Sequence, residues 1–268
     1  MRELAIRVPA DAVEDVLDGL LLMAPHGVHE VPRGAEVELR VRGGPDELPP
    51  AEAVVAAAGQ WGRSLRERHV PDDWRHRRAV DHEPLVIAGR LAVRPAWAPA
   101  PSDGLLDVAL EDQEAFGVGT HPTTRACLQA LCALEPAGAF ADLGCGSGVL
   151  AIAAARLGWS PVAAIDHEPH AVAATRANAV RNGVAVDVRQ GDLAATPVPR
   201  AAAIAANVPL DLHAAIATRM ADVPGTLIAS GVLAEHADEA ARAYATVGLR
   251  ETERTVDSGW TVLVLHRE

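Results

Sequence analysis

The sequence predicts an α/β protein, with a Rossmann-like, doubly wound, seven-stranded sheet in its second half and a small α+β module in front of it. Three observations carry this reading. Apolar, strand-length runs alternate with amphipathic helical stretches from Leu105 onward. A glycine-rich turn, Gly144-Cys145-Gly146-Ser147-Gly148, joins one strand to one helix. The last two strand patterns flank Asp257-Ser258-Gly259, a hairpin turn signal.

In the first 70 residues, Leu4, Ile6 and Val8 alternate as one strand face. Pro9-Ala10-Asp11 opens a helix whose apolar stripe is Val13, Val16, Leu17 and Leu20. Two short strands follow His26-Gly27, and Val37, Leu39 and Val41 alternate in the second. A helix over 51–60 and a strand over 64–70 complete the order βαββαβ of a ferredoxin-like sandwich. Such modules serve recognition or packing, and nothing in this one looks catalytic. Residues 71–101, dense in Pro, Arg and His around Trp74 and Trp97, read as a connector with strand content over 85–93. In the domain over 102–268, strands are expected at 139–143, 162–165, 184–188, 201–206, 225–230, 250–255 and 260–265, with helices over 149–157 and 169–182 between them. An antiparallel pair closing a parallel sheet marks the methyltransferase variant of the doubly wound fold.

Composition narrows the function. The net charge of −12 is spread evenly, with no basic footprint for gripping phosphates, and aromatics make up only 3%. Nucleic-acid binding is therefore not expected, and an acidic surface suits a basic protein partner better. No run reaches eighteen apolar residues and the N-terminus enters a strand pattern directly, so neither a membrane span nor a secretory signal is expected and the default compartment is the cytoplasm. The chain contains no lysine, which excludes Schiff-base chemistry and a phosphate-loop lysine. Cys127, Cys132 and Cys145 give no disulfide framework, and the spacing of the first two suits buried filler rather than metal ligands, so no metal site is expected.

The glycine turn follows a strand and opens a helix, whose N-terminus favours an anionic group. The third glycine stands four residues after the first, where a dinucleotide fingerprint needs five. Asp142 precedes the turn, unwelcome beside a pyrophosphate and welcome beside an amino-acid ammonium. Both details favour S-adenosylmethionine over a dinucleotide, with Asp142, Gly144 and Gly146 as contacts. Asp166 ends the next strand and either accepts from both ribose hydroxyls, the preferred reading, or caps the following helix. Asp192 either holds the adenine amino group or is a loop carboxylate. Asn207 ends the fourth strand, where an amide can orient an amine nucleophile. Enzymes that methylate base amines have Asn-Pro-Pro-Tyr there; Leu210 in place of the aromatic disfavours a base substrate. The segment over 114–125 reads as a Gly-hinged loop feeding a helix, with His121 an ordinary capping or loop histidine.

These residues together resemble the PrmA family, methyltransferases of ribosomal protein L11. Its hallmark loop stands here as Ala115-Phe116-Gly117-Val118-Gly119-Thr120-His121-Pro122-Thr123-Thr124. The Asp-Leu-Gly-Cys-Gly-Ser-Gly stretch at 142–148, Asn178-Ala179-Val180-Arg181-Asn182-Gly183, Ala206-Asn207 and Ser230-Gly231-Val232-Leu233 match as well. The resemblance implies a class I S-adenosylmethionine methyltransferase. By position, its cofactor contacts are Thr124, Gly144, Asp166 and Asn207, with Phe116 and Gly117 of the loop beside them. It also implies repeated N-methylation of substrate lysines and of the N-terminal α-amine, with the domain over 1–70 docking the ribosomal protein. The departures are Val118 in the loop, Asp112-Gln113-Glu114 before it, Arg78 four residues after Trp74, and Val208-Pro209 after Asn207. None touches the cofactor core, and several lie on the substrate side. The alternatives are a related protein-lysine or small-molecule amine methyltransferase, or a non-catalytic cofactor-binding protein that docks on the ribosome.

Overall fold

Strand β1 (Arg2–Pro9) buries Leu4, Ile6 and Val8 on one face, as its alternation requires. They share a core with Val16 and Leu20 of helix α1 (Val13–Leu21) and Val54 and Ala58 of α2 (Ala51–Ala58). With β2 (Val28–Arg33), β3 (Glu36–Gly43) and β4 (Ser64–His69) the strand forms an antiparallel sheet in the order β2-β3-β1-β4, the ferredoxin-like arrangement expected. The other face is ionic. Arg40 donates to Glu38 at 2.8 Å and Arg68 to the buried Glu3 at 2.6 Å, and the Arg40 guanidinium holds the Glu38 carboxyl below its ordinary pKa.

This architecture comes from a computed structural model that describes residues 2–21, 28–43, 48–69, 84–101, 104–111 and 121–267. The chain divides into two units, Met1–Arg78 and Ala79–Glu268. The second begins earlier than the connector reading of 71–101 anticipates. Strands β5 (Leu85–Ile87), β6 (Leu91–Pro95) and β7 (Leu106–Leu110) form a three-stranded sheet of their own. Ile87, Leu91, Val93, Val108 and Leu110 are buried in the core that also holds Leu128 and Leu131. The polar residues of this stretch are fasteners rather than linker. Arg94 makes two bonds to Asp107, at 2.8 and 2.7 Å, and Arg90 donates to the Cys132 carbonyl at 2.6 Å.

The main sheet runs β10-β9-β8-β11-β12-β14-β13. Strands β8 (Phe140–Leu143), β9 (Val162–Asp166), β10 (Asp187–Gln190), β11 (Ala203–Asn207) and β12 (Thr226–Leu233) are parallel. Strands β13 (Leu249–Asp257) and β14 (Trp260–Arg267) are antiparallel and joined by Ser258-Gly259, both at positive φ, as a two-residue hairpin turn demands. Ala203 and Ala205 face one core, Ile204 and Ala206 the other, so β11 is apolar throughout. The helices that cover the faces are α3 (Pro122–Ala133), α4 (Val149–Leu157), α5 (Pro169–Arg181), α6 (Leu210–Thr218) and α7 (Ala237–Ala245). Cys127 and Cys132 are buried in α3, and burial pushes the Cys127 thiol up to about 12. From β8 the order runs through β9 and β10 to one edge, and β11 starts the other half. The crevice beyond the carboxyl ends of β8 and β11 is the switch point where such sheets bind ligands.

Candidate active site

Gly144 leaves β8 at φ +74°, and a Cβ there would lie 2.5 Å from Val208 Cγ1, so glycine is required where the two strand ends meet. The Gly144 and Cys145 amides both donate to the Ile165 carbonyl, which turns the loop back across β9. Asp166, at the end of β9, closes the turn. Its Oδ2 accepts from the Gly146 N–H at 2.9 Å and its Oδ1 from the Glu168 N–H at 3.0 Å. Each oxygen keeps a second lone pair. Beyond the loop opens a cavity of about 550 Å³, within the range of small-molecule sites. Thr124, Gly144, Gly146, Asp166, Asp192 and Asn207 line it, and Val149, Leu150, Leu193 and Leu212 supply apolar wall.

Asn207 arrives from β11, and its Nδ2 donates to Thr123 Oγ1 at 3.2 Å. Thr123 Oγ1 in turn lies 2.7 Å from His121 Nδ1. His121 caps α3 by accepting from the Thr123 N–H, and its ring meets Trp260 edge-on at 5.3 Å. Burial lowers its pKa. Behind the next residue lies a second histidine. His213, fully buried, shares Nε2 between the carbonyls of Val208 and Ser230, 3.1 Å each, with Tyr244 Oη 2.8 Å from its Nδ1. Burial depresses the His213 pKa and raises that of Tyr244. Nε2 must be the donor to the carbonyls, and in the neutral ring that burial favours Nδ1 accepts from the phenol.

The sequence profile of the family described as ribosomal protein L11 methyltransferase (PrmA) matches residues 56–268. The chain belongs to that family. Relatives named ribosomal protein L11 methyltransferase include one from Cupriavidus necator, 39% identical over 231 residues that cover 81% of this chain and 75% of the relative. One from Geobacter metallireducens is 37% identical over 221 residues, covering 81% and 73%. The crystal structure of a ribosomal protein L11 methylase from Lactobacillus delbrueckii subsp. bulgaricus superposes with a TM-score of 0.62 at 26% identity, over 70% of this chain and all of that one. This PrmA-family chain is thus an S-adenosylmethionine-dependent methyltransferase.

The cavity suits that cofactor on its own evidence. Thr124 lines it with a buried Oγ1 that has no partner among the described residues, an unmet hydrogen-bonding group of the kind a polar ligand satisfies. The spare lone pairs of Asp166 and Asp192 suit a diol or an amino group.

Of the residues expected from sequence, Thr124, Gly144, Gly146, Asp166, Asp192 and Asn207 converge on this one cavity. Asp142 does not line it. Its carboxylate lies behind the loop, fully buried, with Oδ2 accepting from the Ala151 N–H at 3.0 Å and Oδ1 unpartnered, and burial pushes its pKa up to about 7. Phe116, Gly117 and Val118, like Trp74 and Arg78, lie outside the described residues. Asp166 and Asp192 also hold their own loops, Asp166 through the Gly146 and Glu168 N–H groups and Asp192 through an Oδ1 that accepts from the Ala194 N–H at 2.8 Å, while the cap position of α5 falls to Glu168. Thr123, His213 and Tyr244 escape the sequence reading. Thr123 carries one weak signal, a second hydroxyl in the first turn of α3.

Asp166→Ala is expected to weaken S-adenosylhomocysteine binding at least about tenfold, because a charge-assisted hydrogen bond contributes roughly 1.5–3 kcal/mol. Calorimetric titration measures it, and unchanged affinity would leave Asp166 as a turn-former alone.

Proposed function

We propose that this chain methylates amines of ribosomal protein L11, lysine side chains and the N-terminal α-amine, with Asn207 orienting the acceptor. One observation carries the reading: the Asn207 side chain lines the cofactor cavity with its Nδ2 committed to Thr123, which leaves Oδ1 without a partner among the described residues. That oxygen can accept from an amine N–H. The names of the relatives supply the protein substrate.

When bound, S-adenosylmethionine supplies an electrophilic methyl group. The residues of the chain do the rest. A free lysine has a pKa of about 10.4, and only its neutral form has a lone pair to attack. The apolar wall of Val149, Leu150, Leu193 and Leu212 desolvates the entering amine, which favours the neutral form. Asn207 Oδ1 then aligns it by one N–H, and orientation supplies much of the rate.

Docking falls to the unit Met1–Arg78, whose split βαβ sandwich has an ionic sheet face. The charge of −12 favours association with a basic ribosomal protein, faster at low salt. Mass spectrometry of purified L11 after incubation with enzyme and S-adenosylmethionine should show added methyl groups. A chain beginning at Ala79 should still bind S-adenosylhomocysteine yet leave L11 unmodified. Unmodified L11 with the full chain overturns the substrate. Equal activity of the shortened chain overturns the docking role.

A further inference from the structure

We propose that Thr123 is a positioning residue for methyl transfer: its hydroxyl, oriented by His121, holds the Asn207 amide with the carbonyl end presented to the acceptor amine. The proposal rests on the role given to Asn207 above and explains what keeps that side chain the right way round.

The two ends of a carboxamide have nearly the same shape and opposite chemistry, one accepting hydrogen bonds and the other donating them. At this site the difference is decisive. A neutral amine reacts through its lone pair. If Asn207 presents Oδ1, it engages an N–H and leaves the lone pair free. If the amide is turned end for end, its NH2 donates into the lone pair that must attack, and the amide inhibits the reaction it should assist.

The direction is set by three bonds in series. The Thr123 backbone N–H donates to His121 Nδ1 at 3.3 Å, so Nδ1 carries no proton and the ring proton sits on Nε2. The one lone pair of Nδ1 is shared between that longer contact and the Thr123 hydroxyl, which donates to it from 2.7 Å. With its proton committed there, Thr123 Oγ1 can only accept, and it accepts from Asn207 Nδ2 at 3.2 Å. The NH2 end is thereby fixed on the Thr123 side. Thr123 is only 2% exposed, which shuts out water that could replace the hydroxyl, and Trp260 packs against the imidazole edge-on. Thr123 itself is not on the cavity wall, so it acts through Asn207.

The test compares Thr123→Val, which keeps the shape and the backbone cap but removes the hydroxyl, with Thr123→Ser, which keeps the hydroxyl. Single-turnover methylation of L11 is read alongside calorimetric affinity for S-adenosylhomocysteine, which also reports that each variant is folded. Thr123→Val should be at least about tenfold slower with affinity within about twofold, and Thr123→Ser should restore most of the rate. Adding Thr123→Val to Asn207→Ala should cost nothing further, since a residue acting only through another is silent once that other is gone. A Thr123→Val enzyme at wild-type rate overturns the proposal, as does a rate loss matched by lost affinity or losses that multiply in the double variant. Those results leave the role of Asn207 standing. An Asn207→Ala enzyme at wild-type rate would overturn both.

Discussion

Gly231→Ala is expected to abolish turnover and to destabilise the catalytic unit by about 3 kcal/mol or more, the combined scale of backbone strain and overpacking. Gly231 sits at φ +85°, and a Cβ there would lie 2.3 Å from the Val208 carbonyl oxygen and 2.7 Å from its N and C atoms. These are backbone atoms, and no side-chain rotation relieves the clash. At the same point the β12–β14 register slips, with Ser230 opposite Val262 and Val232 opposite Thr261, so the glycine forms a bulge that makes room for Val208. Displacing Val208 breaks the hydrogen bond that its N–H donates to the Ser230 carbonyl, 3.0 Å, and moves Asn207 away from Thr123. Urea unfolding and single-turnover methylation measure the two effects. A variant with normal stability and rate would show that the approach of β12 to Val208 does not hold the site.

Asn207→Ala is expected to slow methyl transfer by about a hundredfold while changing S-adenosylhomocysteine affinity by less than about threefold. The asymmetry follows from where the amide acts. Its Nδ2 is engaged within the protein, and in the role proposed above its Oδ1 is left for the acceptor, so its loss should be felt when the amine is aligned. The side chain is partly buried at the end of a strand paired on both sides, through β8 and β12, so truncation should not move the backbone. Rapid-quench single turnovers set against calorimetric binding separate the two quantities. A fall in affinity as large as the fall in rate would reassign Asn207 to cofactor binding alone.

The parts of this fold legible in the sequence are those whose physics is local. Strands β8 and β11 stand out because both faces are buried, which leaves runs such as 203–206 with no polar interruption. The glycine turn and the Ser258-Gly259 hairpin are legible because few residues tolerate their backbone angles. Strand β10 begins at Asp187 rather than at 184, because the Val184 N–H still closes the end of α5 on the Ala179 carbonyl. Of the connector expected over 71–101, the strand content over 85–93 is present, but as part of the second unit, and the sequence hides that membership for a different reason. Arg90 and Arg94 look like linker residues until their partners, Cys132 and Asp107, are brought next to them. The site divides in the same way. Asn207 and Asp166 are announced by their places at strand ends, whereas Thr123 matters only through a residue 84 positions away and His213 through Tyr244, 31 positions away. No local pattern encodes either meeting.

Strand β14 lies between β12 and β13, and Trp260 at its start is the ring packed on His121. A growing polypeptide leaves the ribosome N-terminus first, so the β2-β3-β1-β4 sheet can close while β14 is still unsynthesised. Until β14 emerges, β12 and β13 face a missing neighbour, and the histidine that orients Thr123 lacks its aromatic support. The smaller unit can therefore form well before the chain owns a working active site. Catalytic competence begins only after translation has delivered the strand that fills the gap.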